Sequence, residues 1–111
     1  MGTTLTAIVE VVDTIRWQVA LVRFNKDYVL MRDLYDHKDV IKRWPADMGF
    51  DARRAIEDGA DGDYWCSRET FGAVMRREPR EGFVPQARAL HALIESLWAH
   101  GWETRLLFEE C

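Results

Sequence analysis

The sequence predicts an α+β domain. A small antiparallel sheet, made from an N-terminal hairpin plus a C-terminal strand, is covered on one face by helices. Three observations predict it. The chain opens with two runs rich in β-branched residues that alternate in hydrophobicity. Its middle carries apolar residues at helical spacing between caps and breakers. Its last segment alternates again, and a lone strand has backbone groups that only the N-terminal pair can satisfy.

Residues 3–12, TTLTAIVEVV, place Leu5, Ala7, Val9 and Val11 on one face. After a break at Asp13-Thr14, residues 16–24, RWQVALVRF, place Trp17, Val19 and Leu21 on one face and Gln18, Ala20, Val22 and Phe24 on the other. Asn25 can cap a helix over residues 26–35, with Tyr28, Met31, Leu34 and Tyr35 along one side. His37, Val40, Ile41 and Trp44 repeat that spacing, and Pro45 stops it. Asp51 can cap a short helix, Ala52–Asp58, closed by Gly59. An acidic loop follows and runs into a helix capped by Ser67, from Arg68 to about Arg77, with Phe71, Val74 and Met75 as its apolar side.

The strongest helix spans residues 85–100. Pro85 suits its first position, Gly101 suits the C′ site, and Leu90, Leu93, Ile94, Leu97 and Trp98 form a wide stripe. Residues 102–110 read as the closing strand. The order is β-β-α-α-(α)-α-α-β, without repeats or linkers, so we expect one domain over residues 1–111.

The composition supports a real core: 48% of the 111 residues are hydrophobic, with five Trp and five Phe. Nineteen acids against 15 Lys and Arg give a net charge of −4, which argues against nonspecific nucleic-acid or membrane-surface binding. Cys66 and Cys111 have neither metal-ligand nor disulfide-framework spacing, so two free thiols in a reducing compartment are expected. No basic, signal-like start and no membrane-length apolar run is present. Both features predict a soluble cytoplasmic protein.

The candidate site is the acidic loop. Asp58, Asp61 and Asp63 sit beside two glycines and lead into Tyr64 and Trp65. Asp58 and Glu69 have the separation of the end ligands of an EF-hand loop. However, Ala60 and Gly62 stand where ligands belong and Asp63 stands where the turn needs Gly, so that reading fails. An irregular cation site competes with a solvated acidic turn. Tyr64, Trp65 and Trp44 offer either a recognition surface or a core plug, with Tyr64 the one expected at the surface. Backbone N–H groups after Ser67, with Arg68 adjacent, suit an anion. Cys66 precedes a helix start, but no histidine is placed by sequence to activate it. No catalytic, metal-ligand or cofactor set is therefore assigned.

These elements resemble a family of small, uncharacterised accessory proteins of bacteriophages and prophages. The resemblance rests on the strand Leu5–Val11 and on Arg23-Phe-Asn-Lys-Asp-Tyr28-Val-Leu30. It also rests on Gly49-Phe-Asp51, Asp61-Gly-Asp-Tyr-Trp65-Cys-Ser67 and Arg105-Leu-Leu-Phe108-Glu. The family's His-Ser pair is absent from the fourth of these. The resemblance implies a phage-related accessory protein in the host cytoplasm and supplies no activity.

Three functions follow as expectations. The first is non-catalytic binding, by an anti-defence inhibitor of the anti-CRISPR kind, to a host protein with a basic surface. Asp58, Asp61, Asp63, Tyr64, Trp65 and Arg68 would be its contact residues, with no membrane and no direct nucleic acid involved. The second is a small-ligand or nucleotide-binding sponge, with Trp65 or Tyr64 stacking a base and Arg68 meeting phosphate. The third is a metal-dependent enzyme. A homodimer fits each, through an uncovered sheet face bearing Ile8, Val12 or Val22.

Overall fold

The first and last strands meet in one sheet. The computed structural model describes residues 4–13, 16–25, 28–49, 52–53, 63–77 and 85–110. Among them the elements run β1 (Thr4–Val12), β2 (Arg16–Asn25), α1 (Tyr28–Asp36), β3 (Tyr64–Ser67), α2 (Arg68–Arg77), α3 (Pro85–Ala99) and β4 (Thr104–Glu110). The strand order is β2-β1-β4-β3, antiparallel throughout. The last strand lies beside the first, from Leu5 opposite Glu110 to Val11 opposite Thr104. The predicted three strands are present, and β3 is a fourth.

The helices pack on the face that carries Leu5, Ala7 and Val9 of β1, Phe24 of β2, and Leu106 and Phe108 of β4. Against it lie Leu30 and Leu34 of α1, Phe71 and Val74 of α2, and Ala87, Leu90 and Ile94 of α3. Each large apolar side chain buried here contributes roughly 1.5–3 kcal/mol. The caps act where the sequence puts them. Ser67 Oγ accepts from Thr70 N at 3.1 Å and starts α2. Gly101, at φ 88°, ends α3. There Trp102 N donates to Leu97 O and Gly101 N to Trp98 O, each at 2.9 Å, a Schellman closure.

The other face is crossed by irregular chain. Trp44, Met48 and Ala52 pack on Ile8 and Leu107. Trp44 Nε1 donates to Phe108 O at 2.9 Å, and Ile41 and Trp65 exchange backbone hydrogen bonds of 2.9 and 3.0 Å. The helical spacing of His37, Val40, Ile41 and Trp44 is therefore not a helix. α1 ends at Asp36, and His37 N and Val40 N make only tight-turn bonds. A β-branched Val-Ile step suits extended pairing, and the open edge of β3 supplies the partner. Ile8, expected on an uncovered face, is thereby buried, and Val22 packs partly on the helical side. Of the helix expected over Ala52–Asp58, only residues 52–53 are described, and they are helical.

A buried ion network fastens this crossing segment. Glu10 of β1 is fully buried opposite Arg105 of β4. Arg105 Nε donates to Glu10 Oε1 at 2.9 Å, and its Nη1 donates to Asp47 Oδ1 at 2.9 Å. Gly49 N completes the Glu10 carboxylate at 2.8 Å. A buried charge is tolerated only when paired in this way. No helix among the described residues is long and apolar enough to cross a membrane.

Candidate functional site

The residues picked from the acidic loop do not form one surface. Asp58 and Asp61 lie outside the described residues. Asp63 is half-buried and serves the sheet: its N donates to Phe108 O at 3.1 Å, and its carboxylate accepts from Glu110 N. Tyr64 is only 1% exposed, against the expectation that it reaches the surface. Strand alternation turns it and Cys66 toward the helices. Its ring stacks on Phe108 at 5.4 Å, and its hydroxyl donates to Glu110 Oε2 at 2.7 Å. Burial pushes the hydroxyl pKa well up, and the bond to Glu110 with the nearby Glu110 and Asp63 charges pushes it further.

Trp65 takes the opposite face, packed against the cluster of Ile8, Trp44, Ala52 and Leu107, with the Arg105 guanidinium 5.8 Å from its ring. Arg68 points elsewhere again. It contacts Glu95 at 3.4 Å and Glu103 at 3.5 Å, and lies over the Trp98 ring at 4.1 Å. Cys66 is buried, and burial alone pushes its thiol pKa up, the reverse of what a nucleophile needs. Among the described residues, no group of three or more His, Cys, Asp or Glu is gathered to hold a metal.

What the fold does assemble is a tryptophan surface at one end of the sheet. A register shift between Val9 and Glu10 creates it: Val9 pairs with Ala20 but Glu10 with Gln18, so Val19 is the extra residue. The shift moves Trp17 opposite Val11, onto the face shared with the helices. The Schellman turn at Gly101 brings Trp102 to the same place. The two rings are 5.9 Å apart, tilted by 39°. Trp98, in the last turn of α3, is joined to this end through Arg68, which reaches both Trp98 and Glu103. Val12 N donates to Glu103 O at 2.8 Å and ties the end of β1 to the same loop.

Trp17, Trp98 and Trp102 are 42%, 47% and 38% exposed. Three half-open indoles at one end of a small domain exceed the scattered apolar exposure that needs no explanation. The charge around them is fixed too. Arg68 is held by two carboxylates, Glu95 and Glu103, each about half exposed, which leaves the rim acidic. A scan of protein-family models found no matching family, and searches of curated proteins and of solved structures returned no match.

Sequence reasoning missed this surface for two local reasons. The stripe of α3 absorbs Trp98 as core, although Leu90 and Ile94 already fill the buried line. Trp17 alternates with Val19 and Leu21 only if the strand is regular. The available signal was the pair of tryptophans flanking a glycine helix stop, Trp98 and Trp102 around Gly101.

Proposed function

We propose that this protein acts by non-catalytic binding to another protein, with the Trp17–Trp98–Trp102 surface as its contact. The observation that carries the reading is the exposure of these three indoles in one connected patch. Tryptophan is enriched among the residues that dominate binding energy, because it buries a large area at little entropic cost. The acidic rim of Glu95 and Glu103, with the net charge of −4, favours a partner whose contact surface is basic around an apolar centre. The resemblance to phage accessory proteins supports a host defence component as that partner. The burial of Cys66 supports binding over thiol chemistry.

The test is affinity capture from bacterial lysate, followed by titration of the captured partner in purified form. Trp98→Ala and Trp102→Ala are each expected to weaken binding by about 2 kcal/mol, roughly thirtyfold. Raising salt is expected to weaken it further through the acidic rim. Unchanged affinity in both variants refutes the reading.

A further inference from the structure

On the other face of the sheet, away from the tryptophan surface, the irregular segment and β3 enclose an open groove of about 560 Å³. Ile41, Arg43, Trp44, Met48, Arg53 and Trp65 line it. That volume falls within the range of small-molecule sites. We propose that this groove binds a free nucleoside phosphate, with the base against the Trp65 indole and the phosphate between Arg43 and Arg53.

Three observations carry the assignment. The first is unspent positive charge. Arg32, Arg68 and Arg105 each meet a carboxylate. Arg43 and Arg53 meet none among the described residues. Among the described residues, the Arg53 guanidinium donates only to Ala46 O, at 3.1 Å. Two guanidiniums at one groove, neither meeting a carboxylate among the described residues, are placed to receive an anion.

The second is aromatic wall. Trp44 and Trp65 both line the groove, and Trp65 is only partly buried. A flat, weakly polar ring is what an indole stacks best, and that requirement excludes a simple inorganic anion as the preferred occupant.

The third is preorganisation. Trp44 is fixed by its bond to Phe108 O, and Trp65 by its reciprocal pairing with Ile41. Arg105 sits beneath the Trp65 ring and is itself held by Glu10 and Asp47. Arg53 is braced through its own N to Gly49 O at 3.0 Å. The aromatic walls of the groove are therefore built before any ligand arrives, and binding orders chiefly the two arginine side chains.

In this proposal Arg43 and Arg53 replace Arg68 as the phosphate contact expected from sequence. Arg68 is consumed by Glu95, Glu103 and Trp98, whereas Trp65 retains its stacking role with Arg43 and Arg53 beside it. The site shares no residue with the tryptophan surface, so either proposal can fail while the other stands.

The test is calorimetric titration with AMP, GMP and UMP, with adenosine, inorganic phosphate and a short single-stranded DNA as separate arms. At least one mononucleotide is expected to bind, with adenosine and phosphate about tenfold weaker or worse, since each lacks one half of the contact. Arg43→Gln and Arg53→Gln, both at exposed positions, are each expected to weaken binding about tenfold and leave the fold intact. Trp98→Ala is expected to leave it unchanged. The proposal is overturned if no mononucleotide binds at millimolar concentration. Inorganic phosphate binding as well as the nucleotides, both arginine variants binding normally, or the DNA strand out-competing every mononucleotide overturns it too.

Discussion

Arg105→Met is the most informative single change to the fold. Glu10 is fully buried and has three donors: Arg105 Nε and Nη2, both at 2.9 Å on Oε1, and Gly49 N at 2.8 Å on Oε2. Methionine fills much of the arginine stem but leaves Oε1 without its two donors. Removing one partner of a buried pair costs about 3–5 kcal/mol, because the remaining charge stays out of water. The tether to Asp47 adds little, since that carboxylate is more than half exposed. For a domain of this size, the loss corresponds to a fall in melting temperature of roughly 12–20 °C. Urea unfolding followed by circular dichroism measures it. A second variant separates charge from packing: Glu10→Leu added to Arg105→Met is expected to recover most of the loss, because two apolar side chains then meet across β1 and β4. An Arg105→Met protein within about 1 kcal/mol of the parent refutes the reasoning, as does a double variant no more stable than the single one.

Further expectations concern a cap and two buried titrating groups. Gly101→Ala meets no atom within 4 Å, so its cost comes only from the φ of 88°. It is expected to lower stability by about 1 kcal/mol in the same urea assay and to loosen the Trp17–Trp102 contact, seen as altered near-ultraviolet dichroism. Cys66 is expected to resist a thiol reagent in a Cys111→Ser background until the protein unfolds, because burial holds its thiol protonated; prompt native-state labelling contradicts this. Tyr64 has a folded pKa raised above its ordinary value of 10, so the unfolded chain releases its proton first and the folded chain keeps it. Stability is therefore full below about pH 10 and falls above it, by at most about 1.4 kcal/mol per pH unit. Tyr64→Phe is expected to cost about 1 kcal/mol at neutral pH and to flatten that alkaline slope; an unchanged slope contradicts the assignment.

The terminal strands, α2 and α3 were legible because each carries its own periodicity and its own stop signals. Leu5, Ala7 and Val9 alternate, Ser67 caps, and Pro85 and Gly101 bracket the longest helix. β3 was not legible. Four residues give too few alternations to show a period, and its neighbours Asp61, Gly62 and Asp63 read as a loop. The spacing of His37, Val40, Ile41 and Trp44 mimics a helix, and only a distant strand edge decides otherwise. The face taken by Trp17 depends on one extra residue in β2, which no local pattern reveals. Glu10 alternates away from the face of Leu5, Ala7 and Val9, and nothing local marks it as buried. Its burial depends on Arg105 and Gly49, both remote in sequence. The same cause runs through the candidate sites: Tyr64 and Arg68 are only four residues apart, yet one turns into the core and the other pairs with two acids.

Binding through Trp17, Trp98 and Trp102 requires that these three indoles meet the partner. Hydroxyl-radical footprinting of the free protein and of its complex with the captured partner measures this directly. Oxidation of these three indoles is expected to drop in the complex, while Trp44, already buried, stays weakly oxidised in both states. If the three remain as reactive in the complex as in the free protein, and protection appears elsewhere, the tryptophan surface is not the contact.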